Sequence, residues 1–285
     1  GFPNETVIAQ TWNKELAYEF GKIEGAQAGE MGYEGWYAPS MNMHRTPLGG
    51  RNYEYYSEDS YLSGCMAAET VEGSLDAGTY CYMKHLIAYD QDTMRDSLYT
   101  WMTEQALRET YLKPFKIAIQ EGGATGIMTS YNRLGAVWAG GSEALITGVV
   151  REEFGFNGSI ITDYSDHQIF MNMDQALRAG ADLWMDGMIN NGTFRCETES
   201  NSFRQALRTA SKNIIYTWVN AGYENKAYNE TADEPIIRPV EQKVMSIITK
   251  IQIIYDVVAV VLILIWIRSI VKRHKKKKAV KIEVQ

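Results

Sequence analysis

The feature that most limits what this chain can fold into is the regular alternation of short β-like runs with helical stretches over residues 1–224. Strands are expected at 35–39, 79–83, 126–130, 159–162 and 182–185. Helical spacing fills 96–120, 143–153 and 202–221; in the last, Phe203, Ala206, Leu207, Ala210, Ile214 and Trp218 fall along one face. Strands regularly followed by helices imply a parallel sheet. Polar residues gather just after the strands: Asn42, Lys84 with His85, Tyr131 with Asn132, and Asp163. Functional groups at the C-terminal ends of parallel strands are the geometry of a (β/α) barrel or a doubly wound sheet. No GxGxxG or GKS/T run opens a helix, which counts against a nucleotide-binding sheet.

The C-terminal part reads differently. Residues 251–267 are apolar except for Gln252 and Asp256. Seventeen residues at helical rise reach roughly 25 Å, near the lower limit of a membrane span. Arg268 is placed to snorkel outward, and KRHKKKK follows at 272–278. A buried core helix has no reason to end in such a run, whereas a membrane anchor does. The reading is therefore a barrel domain at 1–224, a linker at 225–246 containing Pro235 and Pro239, a transmembrane helix at 247–271 and a basic cytoplasmic tail at 272–285. Tyr255 and Trp266 suit interfacial belts, the lysines attract anionic lipid, and the positive-inside rule leaves the large domain outside the cell.

Charge sharpens the division. Residues 268–285 hold eight of the 28 basic residues and one of the 35 acidic ones, leaving 20 basic against 34 acidic over residues 1–267. An acidic body excludes nucleic acid as the main partner, because phosphates would be repelled over most of the surface. Cys65, Cys81 and Cys196 make no disulfide framework or zinc spacing. His44, His85, His167 and His274 do not pair at metal-ligand spacing, and no cofactor is called for. The chain starts at Gly1 with no leader-like segment and is expected to be a piece of a longer protein.

Asp163 ends the run GSIITD, so its carboxylate is expected at the mouth of the sheet instead of in bulk solvent. Alone this is weak, since strand-end aspartates often cap helices. Its company changes the weighing: Lys84 and His85 follow one strand, and Arg51 and Arg95 lie in polar loops after others. Several cations around one carboxylate suit a sugar, with fixed donors on the hydroxyls and an ionised acid to attack the anomeric carbon. Nearby cations also favour the charged carboxylate. Tyr164, Trp36, Tyr131 and Trp138 offer stacking faces, although packing is the ordinary role of an aromatic. Asp166 and His167 read as loop residues.

The runs FPNETVIAQTWNKELAYEFG, WYAPSMNMHRTPLGGRNYEYYSEDSYLSG, KHLIAYDQDTMR, LRETYLKPF, IMTSYN, REEFGFNGSIITDY and AGADLW occur in this order between residues 2 and 184. Together they resemble the barrel domain of glycoside hydrolase family 3. The resemblance implies a (β/α) TIM-type barrel and a retaining exo-acting β-glycosidase of the β-glucosidase type, acting on terminal β-linked oligosaccharides or glycosides through a covalent glycosyl-aspartate. It places the nucleophile on Asp163 and substrate contacts on Arg51, Lys84, His85, Arg95, Met128, Tyr131 and Tyr164, the last standing where many members have tryptophan. Lys84-His85 precedes LIAYDQDT and lacks the glycine-histidine run of the family's N-acetylhexosaminidases, which favours the β-glucosidase or β-xylosidase branch. Two family parts are expected elsewhere in a longer chain. One is an Asp-Gly-Pro segment together with the first barrel strand; the other is an α/β sandwich domain carrying the acid/base glutamate. The competing reading is a non-catalytic, membrane-tethered carbohydrate-binding module with the same pocket.

Overall fold

The computed structural model describes residues 2–165, 170–186, 196 and 198–221, together with Lys250, Ile253, Tyr255, Val258, Trp266 and Arg268. The chain divides into two compact units, Gly1–Ala232 and Asp233–Gln285. Asp166, His167, the linker at 225–246, the tail at 272–285 and most of the segment at 247–271 lie outside the described residues. Among the described residues no helix is long and apolar enough to cross a membrane.

In the first unit, α1 (Glu5–Gln10) and α2 (Lys14–Glu30) precede β1 (Gly35–Trp36), and α3 (Ser60–Asp76) leads into β2 (Tyr80–Leu86). After β3 (Tyr99–Thr100) a helical stretch runs through α4 (Glu104–Ala106), a π-helical segment Leu107–Leu112 and α5 (Lys113–Gln120). Next come β4 (Gly126–Thr129), β5 (Arg133–Leu134), β6 (Val137–Trp138), a π-helical segment Ala144–Glu153 and β7 (Ser159–Ile161). The described unit closes with α6 (Met173–Ala179) and α7 (Asn201–Val219). Helix starts follow local chemistry: the side chains of Asn4, Asn13, Asp59, Thr103, Asn172 and Ser200 each accept an N–H of the first turn.

The main sheet has the order β1-β2-β4-β7, every pair parallel, with single-residue bridges Ser40–Lys84 and Ile161–Leu183 extending it. Helical segments connect successive strands, as in the α/β fold of a TIM-type barrel. A small second sheet, β3-β5-β6, is built from the segments that follow β2 and β4. Alternation along the strands sorts the residues onto two faces. Met83, Ile127 and Ile160 join the main core with Phe115, Leu145 and Val150, while Tyr82, Met128 and Ile161 form a separate apolar layer on the opposite face. Burying side chains of this size contributes about 1.5–3 kcal/mol each. Close approach of α2 to α3 rests on glycines: a Cβ on Gly73 would lie 2.1 Å from the Tyr18 carbonyl oxygen.

Four sequence expectations change. The strand expected at 79–83 runs on to Leu86, so Lys84 and His85 belong to β2 and do not follow it. The helix expected at 96–120 begins only at Glu104, after a 3-10 turn at Arg95–Ser97 and strand β3. In α7 the buried residues are Phe203, Ala210, Asn213 and Thr217, while Leu207 and Trp218 are exposed. Polar pairing turns that helix. Thr217 Oγ1 donates to the Thr125 carbonyl and accepts the Ser159 N–H, both at 2.7 Å, and Asn213 Nδ2 donates to Asp182 Oδ1 at 2.9 Å. The run at 182–185 contributes one bridge residue, Leu183, in place of a full strand.

Candidate active site

Asp163 stands two residues beyond Ile161 at the C-terminal end of β7, so alternation aims it to the same face as Ile161. Lys84 shares its face of β2 with Tyr82 in the same way. The Asp163 side chain is buried; its Oδ1 accepts the Tyr164 N–H at 2.8 Å. Its Oδ2 is also buried and closes no hydrogen bond of normal geometry with the described residues. His85 Nε2 lies 3.8 Å from that oxygen. Burial raises the Asp163 pKa, opposed by the Tyr164 N–H, by the charges of Arg51 and Arg95, and by the Tyr131 hydroxyl. Tyr131 is raised in turn, by burial first and by Asp163 next.

The cations are held by a framework of their own. Arg51 Nε donates to Glu54 Oε1, and its guanidinium lies 5.5 Å from the Tyr89 ring centroid. Lys84 Nζ sits 3.4 Å from Glu54 Oε2, which also accepts the Ser40 hydroxyl at 2.6 Å. Burial alone would raise the Glu54 carboxyl, but Arg51, Ser40 and Lys84 together hold it below its ordinary value. Behind them Glu5 is pushed up to about 7, mainly by burial. Arg95 Nη1 reaches the Tyr89 hydroxyl and Asp92 Oδ1, both at 3.1 Å, and its guanidinium lies 4.3 Å from the Tyr131 ring centroid. Tyr89 stacks on His85 with centroids 5.1 Å apart. Burial, helped by Arg51, Lys84 and Arg95, holds the His85 pKa well below its ordinary value.

The structure thus brings Arg51, His85, Arg95 and Tyr131 to Asp163, and holds Lys84 beside Arg51 on Glu54. Tyr164 contributes its backbone amide, and its side chain is exposed. Met128 is buried with Tyr82 and Ile161 in the apolar layer one residue pair beneath. Sequence reasoning overlooked Glu54, Tyr89 and Asp92, and gave Asn42 no role. Glu54 was detectable, standing three residues after Arg51 as an acid behind a base. Among the described residues no cluster of His, Cys, Asp or Glu is arranged to hold a metal ion. Chemically, a buried carboxylate ringed by charged donors and aromatic rings can hold a polyhydroxylated ring and present one oxygen to an electrophilic carbon.

A model of the glycosyl hydrolase family 3 N terminal domain matches residues 1–194. A β-glucosidase B of Emericella nidulans is 33% identical over 252 residues, 84% of this chain and 29% of the relative. A β-glucosidase of Ruminococcus albus is 41% identical over 162 residues, 57% of this chain and 17% of the relative. Among solved structures, β-glucosidase 3B from Thermotoga neapolitana in complex with glucose superposes with a TM-score of 0.71 at 36% identity, covering 82% of this chain and 34% of that one. The chain therefore spans less than a third of the length of these two curated relatives.

Proposed function

Because this chain belongs to glycosyl hydrolase family 3, we propose that it supplies the sugar pocket and nucleophile of a retaining β-glycosidase acting on terminal β-glucosides. The observation that carries the reading is the asymmetry of Asp163, with Oδ1 tied to the Tyr164 amide and Oδ2 buried without a hydrogen bond of normal geometry to the described residues. In the first step Oδ2 bonds to the anomeric carbon while the bond to the leaving oxygen breaks; that oxygen takes a proton from an acid. Water then attacks the same carbon, gives up a proton, and releases the Asp163 carboxylate. Arg51 and Lys84 donate to ring hydroxyls, Arg95 and Tyr131 favour the ionised carboxylate, and Tyr164 lies at the rim.

Where no acid protonates the leaving group, the loss is roughly 10²–10⁴-fold in rate, so a substrate whose leaving group needs no proton suits the test best. The test is Asp163→Asn assayed on a nitrophenyl β-glucoside, alongside glucose binding. Turnover should vanish while binding stays within a few-fold; unchanged turnover sinks the proposal. A pure binding module would show neither turnover nor its loss. We further propose that residues 247–271 tether the protein to a membrane with residues 272–285 inside, supported by the apolar run and the lysines that follow it.

A further inference from the structure

Asn42 and His85 form a closed pair that the reaction outlined above does not use. The Asn42 side chain is 2% exposed and so is His85. Asn42 Oδ1 accepts the His85 backbone N–H at 2.8 Å, and Asn42 Nδ2 donates to the His85 carbonyl at 2.8 Å. These two contacts fix which end of the amide is oxygen, because a backbone N–H only donates and a carbonyl only accepts. The same Oδ1 lies 3.1 Å from His85 Nδ1. An amide oxygen donates nothing, so Nδ1 must carry the hydrogen.

We propose that Asn42 is a positioning residue that locks His85 in its neutral Nδ1–H tautomer, so that Nε2, 3.8 Å from Asp163 Oδ2, accepts a hydrogen bond from a hydroxyl of the bound sugar. The alternative, an imidazolium with both nitrogens protonated, is favoured by the Asp163 carboxylate 3.8 Å from Nε2 but opposed by burial and by the charges of Arg51, Lys84 and Arg95, and the opposition prevails. Tyr89 stacks on the ring and fixes its plane. The consequence is a division of labour. Arg51 and Lys84 supply donors, and His85 supplies the acceptor. A pocket built this way selects a glycone with a free hydroxyl at one ring position, because neither fluorine nor hydrogen can donate there. The sugar part of this inference rests on the glycosidase reading; the tautomer does not.

Two measurements test it on the full 285-residue chain. The first is long-range ¹⁵N NMR of the histidine-labelled protein, with the His85 signals assigned by their loss in His85→Gln. The native ring should show a protonated Nδ1 and a bare Nε2 from pH 5 to 8. A protonated Nε2 overturns the inference. The second compares glucose with its monodeoxy and monofluoro analogues. At one position both should lose at least tenfold in affinity and by similar factors; a fluoro analogue that binds like glucose at every position overturns the acceptor assignment. Asn42→Asp keeps an acceptor in place but adds a negative charge, so His85 should protonate at higher pH and glucose affinity should become pH-dependent between 5 and 8. A merely structural Asn42 would leave that profile flat. Should no sugar bind while the native ring stays Nδ1–H, the glycosidase reading falls and the tautomer assignment stands.

Discussion

The ionisation of Asp163 is a balance between burial, which opposes charge, and four surrounding groups that favour it. Tyr131 is the member of that set that can be removed with least disturbance, since Tyr131→Phe keeps the ring beneath Arg95. Its hydroxyl lowers the Asp163 pKa, so its loss should raise that pKa. The acid limb of Asp163 labelling by an activated glycoside should then move to higher pH; an unmoved limb would show that the hydroxyl does not act on the carboxylate. At this scale the sequence was partly readable. Asp163 at the end of an apolar run and Lys84-His85 beside a strand are local patterns. The partners of those residues are not. Asn42 meets His85 across 43 positions, and Tyr89 acts on His85 by stacking. Such pairs exist only once the strands have been set side by side.

Elements here are joined by buried polar links as much as by apolar packing. Asp182, its side chain 1% exposed, takes Arg151 Nη2 at 2.6 Å and the Ile160 N–H at 2.7 Å on one oxygen and Asn213 Nδ2 on the other. It thereby ties the π-helical segment Ala144–Glu153, β7 and α7 together. Asp182→Ala leaves a buried arginine unpaired and should cost about 3–5 kcal/mol of stability, read from denaturant unfolding; a cost below 1 kcal/mol would contradict the link. This network also explains the mistaken face of α7. Periodicity picked out its apolar residues, whereas Asn213 and Thr217 are buried because strand-end groups need partners. Glu5 gives a pH-dependent case. Its carboxyl is raised to about 7 by burial, with Ser40, Glu54 and Lys84 nearby. The folded chain holds that proton more tightly than the unfolded chain does, so stability falls as pH climbs from about 4.5 to about 7. Glu5 is partly exposed, which shrinks the effect to about 1–2 kcal/mol. Glu5→Gln should flatten that stretch of the stability–pH curve, and an unchanged slope would remove Glu5 as its cause.

On the scale of the whole molecule, a parallel sheet with helices between its strands was legible from alternation alone. Strand ends were not, because β2 continues through Lys84 and His85, polar residues that no hydrophobic pattern marks as strand. The C-terminal segment is argued from hydropathy and charge. If it tethers the protein, the chain expressed in cells should stay with membranes through a carbonate wash and should lose that association when residues 247–285 are deleted; a full-length chain released by the wash would end the tether proposal. The account as a whole depends on one covalent bond. Incubating the chain with a dinitrophenyl 2-deoxy-2-fluoro-β-glucoside should leave a fluoroglucosyl adduct, and mass mapping of the digested protein should put it on Asp163. Adduct on any other carboxylate, with Asp163 unlabelled, would contradict the account at its centre.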